Sequence, residues 1–166
     1  MTASTDSNRH TLTAANDAGL PAKIDRPAPA PRSRYRRFVP LATRWTDNDA
    51  YGHLNNVVYL SLFDSAVNSA LIEGGVLDIG QGEVIGVVAE THCNYFASLA
   101  FPQPVEAGLA IARVGRSSLC FDIGIFAAGG AETAARGHFD HVYVDRQSRR
   151  PVPLPDRLLA FAKELQ

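Results

Sequence analysis

Tyr59, Leu62, Phe63, Ala66, Val67, Ala70 and Leu71 recur at i, i+3, i+4, i+7, i+8, i+11 and i+12, a spacing that constrains the fold more than any other feature of the chain. It is the core-facing stripe of an α-helix. The opposite side holds small or mildly polar residues, Ser61, Asp64, Ser65, Asn68 and Ser69, and no Lys, Arg or Glu precedes Glu73. Such a helix is expected to be enclosed on most sides. Asn55 or Asn56 should begin it, because an Asn side chain accepts from the free amides of a first turn. Gly74-Gly75 should end it.

After this helix the period changes. Val84 to Tyr95 opens as a continuous apolar run, the pattern of a buried central strand. Val105, Ala107, Leu109 and Ile111 then alternate with Glu106, Gly108, Ala110 and Ala112, and Leu119, Phe121, Ile123 and Ile125 with Cys120, Asp122 and Gly124. These read as half-buried strands. Gly115-Arg116-Ser117-Ser118 and Ala127-Ala128-Gly129-Gly130 supply the turns. A further strand is expected over 133–144, a first one over 38–45, and a short C-terminal helix around Leu158, Leu159, Phe161, Ala162 and Leu165. The class is α+β, an antiparallel five-stranded sheet wrapped around one long central helix. No Gly-rich phosphate loop opens a helix, so a nucleotide-binding α/β reading lacks its signature.

With 166 residues, 46% of them hydrophobic, the chain can fill one core and not comfortably two. Its net charge of −1 supplies no basic field for nucleic acid or anionic membrane, which leaves small molecules or another copy of the chain as partners. Cys93 and Cys120 have neither C-x-x-C nor zinc spacing and read as reduced and structural. No apolar run reaches membrane-span length and no secretory signal is visible, so the expected location is cytoplasmic. Residues 1–36 are rich in Ser, Thr, Ala and Pro and read as a disordered, dispensable tail, with the folded domain over 37–166. Arg32, Arg34, Arg36 and Arg37 within and beside it read as a solvated basic linker.

The chemistry concentrates in the loop that feeds the helix, Asp47-Asn48-Asp49-Ala50-Tyr51-Gly52-His53-Leu54-Asn55-Asn56. A carboxylate beside the partially positive amides of a helix start is the minimal equipment for acyl transfer, a nucleophile or base together with an oxyanion-stabilising dipole. His53 could serve as a general base, although loop support is the simpler role. His138, Asp140 and His141 suggest metal ligands, but only His138 and Asp140 share a strand face and His92 is remote in sequence, so no metal is expected.

Asp49-Ala50-Tyr51-Gly52-His53-Leu54-Asn55-Asn56-Val57-Val58-Tyr59 resembles the D-x-x-x-H-x-N-N-x-x-Y signature of hotdog-fold acyl-CoA thioesterases in the 4-hydroxybenzoyl-CoA thioesterase-like superfamily. Asn94-Tyr95-Phe96-Ala97-Ser98-Leu99, the Gly115-Arg116-Ser117-Ser118 turn, and the closing stretch from Val142-Tyr143-Val144-Asp145 to Arg149-Arg150-Pro151-Val152-Pro153 extend the resemblance over about 38–164. It implies a hotdog fold and hydrolysis of an acyl- or aroyl-CoA thioester without metal or organic cofactor. Asp49 would be the nucleophile or general base, Asn56 would mark the helix amide that polarises the carbonyl, and His53 would complete the catalytic set. Asn55, Tyr51, Tyr59, Arg116, Ser117 and Ser118 would bind substrate, and Arg113, Arg136, Arg149 and Arg150 are further candidates for the CoA phosphates. A homodimer or homotetramer is implied, with the catalytic loop facing a neighbour's strands. Asp64, mid-helix, sits near where another hotdog branch carries its acid and is a rival; from the sequence it reads as a satisfied buried carboxylate. A hydratase or dehydratase using His53 and a non-catalytic acyl-CoA-binding module are the alternatives.

Overall fold

The computed structural model describes residues 27–166, and residues 1–26 of the expected tail lie outside the described residues. The elements run β1 (Arg37–Leu41), α1 (Asn56–Glu73), β2 (Val84–Tyr95), β3 (Val105–Val114), β4 (Ser118–Ala127), β5 (Ala135–Asp145) and α2 (Asp156–Glu164). The five strands form one antiparallel sheet in the order β1-β3-β4-β5-β2 with α1 packed on one face, which is the hotdog fold. Pro40 lies on β1, an edge strand, where a missing N–H is tolerated.

All seven residues of the helical stripe are buried. Phe63, Ala66, Val67 and Ala70 meet the inward residues Ala107 and Leu109 of β3, Phe121, Ile123 and Ile125 of β4, and Ala135 and Phe139 of β5. α2 closes one end of this core with Leu158, Phe161 and Ala162. Gly137 on β5 is buried under the helix, where an added Cβ would stand 1.8 Å from the His92 carbonyl oxygen and 2.8 Å from the Phe63 ring.

Three expectations change. The apolar run of β2 is an edge strand, not a central one, and all of it is exposed or half-buried, with Val88 at 48%. The polar face of α1 is not enclosed within one chain: Ser61, Asp64 and Ser65 are exposed, as are Val57 and Ile72. Asp64 is therefore a surface carboxylate, held by the Asn68 side-chain amide at 3.0 Å, and not a buried one.

The third change concerns residues 27–36, which are packed as a strap across the outer face of the sheet. Ala30 and Tyr35 are buried with Ala110 and Phe126, and the Tyr35 ring meets Phe126 edge-on at 5.6 Å. Gly108 and Gly124 make its slot, because a Cβ at either would come within 2.7 Å of Tyr35. The basic cluster is engaged as well. Arg32 pairs with Glu106, Arg34 with Asp122 at 2.5 Å and Arg37 with Glu73 at 2.6 Å, while Arg36 donates to the Gln166 carbonyl at 2.9 Å.

Candidate active site

The loop between β1 and α1 is closed by its own first residues. Trp45–Asp47 makes one 3-10 turn, and the buried Asp47 carboxylate accepts from the Arg44 amide at 2.7 Å and from its guanidinium at 2.8 and 3.1 Å. That guanidinium holds the Asp47 carboxyl below its ordinary range. The Asp47 carbonyl accepts from Asn55 at 2.9 Å, and the Leu54 amide donates to Leu99 at 2.7 Å, so both ends of the loop are fixed. Asp47 is thus a structural residue.

Between these anchors, 49–53 forms a tight turn. The Asp49 amide donates to the His53 carbonyl at 2.8 Å, and Gly52 supplies the positive φ of 80° that the turn requires. Asp49 Oδ1 accepts from the amides of Tyr51 at 2.8 Å and His53 at 3.3 Å, which fixes the carboxylate against its own loop. Its Oδ2 is engaged by no group among the described residues.

Asn55 caps α1, its side-chain oxygen accepting from Val57 at 3.2 Å, while the Val58 amide donates to the Asn55 carbonyl at 2.9 Å. Among the described residues the Asn56 amide has no acceptor. This free N–H stands at the positive end of the helix dipole. A groove of about 360 Å³ opens here, lined by Asp49, His53, Asn56 and Tyr59 from the loop and helix, and by Tyr95, Phe96 and Ser98 from the end of β2 and beyond. An oxygen that can attack or take a proton thus shares one concavity with a donor that can stabilise an oxyanion.

The remaining sequence candidates fall outside this groove within one chain. Asn55 acts as the cap, and Tyr51 is 85% exposed on the turn and does not line the groove. Arg116, Ser117 and Ser118 lie at the far end of β3 and β4 from the Val105–Ala127 pair, where the carbonyls of Arg116 and Ser117 accept from Leu154 and Tyr143. Tyr95, missed as a site residue, ends β2 with its hydroxyl donating to the Asn56 carbonyl at 3.1 Å. Its sequence signal was the Asn94-Tyr95-Phe96-Ala97-Ser98-Leu99 stretch that shares in the family resemblance.

A larger groove of about 510 Å³ lies on the outer face of the sheet. Its charges largely pair internally, Arg34 and Arg136 on Asp122, Arg113 on Asp140, and His138 on Glu90. His92 is not remote in the fold: its ring stacks on His138 at 5.2 Å. Both cysteines are free, and burial pushes the Cys93 thiol up to about 11 and that of Cys120 up to about 12.

A family model for the thioesterase-like superfamily matches residues 43–162, which include the capped helix, the groove and all of β2 to β5. The chain belongs to that superfamily. The solved PA5185 protein of Pseudomonas aeruginosa is 50% identical with a TM-score of 0.82, covering 84% of this chain and 97% of its own. Slr0204, a 1,4-dihydroxy-2-naphthoyl-CoA thioesterase from Synechocystis, shares the fold at 21% identity and a TM-score of 0.69, over 77% of this chain and 96% of its own. The YsmA protein of Bacillus subtilis is 26% identical over 100 residues, covering 60% of this chain and 67% of YsmA. No helix among the described residues is long and apolar enough to cross a membrane.

Proposed function

We propose that this member of the superfamily hydrolyses an acyl- or aroyl-CoA thioester to the free acid and CoA. The observation that carries the reading is the pairing, in one groove, of an unengaged Asp49 oxygen with the free Asn56 amide at the start of α1. The thioester carbonyl oxygen rests against that amide, where the helix dipole favours the charge that develops in the transition state. Asp49 then attacks the carbonyl carbon, or takes a proton from a water that attacks it. The carbon–sulfur bond breaks, CoA leaves as a thiolate and is protonated from water, and a covalent acyl-aspartate, if formed, is cleaved by a second attack of water. Every step draws on the chain and water alone. Tyr59, Tyr95 and Phe96 give the acyl group an aromatic wall.

Self-association belongs to the same reading. β2 presents one exposed edge and β1 the other, a feature that soluble proteins normally pair or cover. A homodimer or homotetramer would cover the β2 edge and the exposed face of α1. It would also offer a place in the site to Arg116, Ser117 and Ser118 from a second copy. A scattering mass of one chain in a fully active sample contradicts it. The functional reading itself is tested by presenting CoA thioesters of graded acyl length and aromaticity and following thiol release. Release from at least one class is expected. Saturable binding without release from any class would instead favour an acyl-CoA-binding module.

A further inference from the structure

Tyr95 stands at the junction of the two elements that frame the groove. Its ring lies edge-on to Tyr59 of α1 at 5.1 Å between centroids, and its hydroxyl donates to the carbonyl of Asn56 at 3.1 Å. Asn56 is the residue whose own amide has no acceptor among the described residues. The Asn56 carbonyl is thus held from β2, while Asn56 itself lines the groove. The Asn55 cap engages Val57, one residue further on, and the Tyr95 hydroxyl adds to the same turn a bond from another element.

Other features argue that the hydroxyl is more than a packing contact. Tyr95 is 38% exposed, so its ring is not locked in place by full burial. Its acidity is suppressed chiefly by desolvation, to about 12, which keeps the O–H a donor throughout the neutral range. β2 is itself fixed at this point, since Tyr95 pairs with Ala135 and the following Phe96 amide donates to Ala134 at 2.8 Å. The hydroxyl thus ties the first turn of α1 to a strand end that is itself hydrogen-bonded to β5.

We propose that Tyr95 is a positioning residue for thioester hydrolysis, which holds the first turn of α1 so that the Asn56 amide points at the substrate carbonyl. The inference rests on the hydrolase reading. Because the amide stabilises charge that appears in the transition state, loosening its turn lowers turnover and leaves ground-state binding almost unchanged.

The test is Tyr95→Phe in the full chain, which keeps the ring and removes the bond. With a CoA thioester that the wild type hydrolyses, kcat is expected to fall by about fivefold to tenfold, the weight of one hydrogen bond of about 1 kcal/mol or slightly more, while KM changes by less than about twofold. Amide hydrogen exchange, read by NMR on the same variant, is expected to be several-fold faster at Val57 and Val58, whose amides are bonded to Asn55, and unchanged in the centre of α1. Unchanged kcat, an effect confined to KM, or unchanged exchange at Val57 and Val58 each overturns the proposal. A wild type that hydrolyses no thioester sinks the functional reading instead, and the exchange measurement then still decides whether Tyr95 holds the turn.

Discussion

Removing the strap, by starting the chain at Arg37, should weaken the fold substantially. Tyr35 is only 4% exposed, wedged between Phe126, Phe38 and the two glycines Gly108 and Gly124. Deleting a buried aromatic side chain costs about 3–5 kcal/mol, and the lower end applies here because the vacated slot opens to solvent and can refill with water. The Arg32–Glu106 and Arg34–Asp122 pairs are partly exposed and add about 0–1 kcal/mol each; Asp122 retains its two bonds from Arg136 at 3.0 Å. The sum is about 3–5 kcal/mol, or a melting temperature lower by about 10–15 °C for a domain of this size. Circular-dichroism melts of chains starting at Pro27 and at Arg37 make the comparison, since the first keeps every strap contact described. Melting points within about 2 °C of each other would refute the reasoning and return residues 27–36 to the role of a passive tail.

Gly137→Ala should destabilise by about 2 kcal/mol or more, because the new methyl meets the His92 carbonyl and Phe63 in the β2–β5 pair; a chemical-denaturation midpoint equal to wild type contradicts this. His141 is 3% exposed, neither ring nitrogen has a partner among the described residues, and burial lowers its pKa to about 4. The unfolded chain takes up that proton below about 6.5 and the folded one only near 4, so stability is full above 6.5, declines as pH falls through this window and levels off below it. The interval corresponds to about 3 kcal/mol, so wild-type stability measured relative to His141→Phe in urea melts should be lower at pH 4.5 than at pH 7 by nearly that amount, and an equal difference at the two pH values contradicts it. Asp64→Asn should leave turnover within about twofold, since the residue is exposed and outside the groove; a loss beyond tenfold in steady-state assays would move the chemistry to the helix.

The helix and the site loop were legible because their signals are local. The Tyr59 to Leu71 stripe needs only helical periodicity, and Asn55 and Gly74 bound the helix through side-chain and backbone preferences that act within one turn. Asp49, His53 and Asn56 come together because a turn of five residues and a cap place them within one short stretch of chain. What was illegible depends on partners distant in sequence. The apolar start of β2 reads alike for a central or an edge strand, and only its pairing with β5 alone decides between them. Tyr35 is one aromatic residue among prolines and arginines, and its burial follows from two glycines more than 70 positions away. Tyr95 gains its role from a bond across 39 residues to the helix start.

The central claim is that Asp49 is the catalytic carboxylate. It is tested most directly by the turnover of Asp49→Asn on a CoA thioester that the wild type hydrolyses, followed by thiol release, with circular dichroism confirming the fold. Loss of a nucleophile or general base should lower kcat by about a hundredfold or more while the thioester still binds. An Asp49→Asn variant that keeps most of the wild-type kcat would contradict the account.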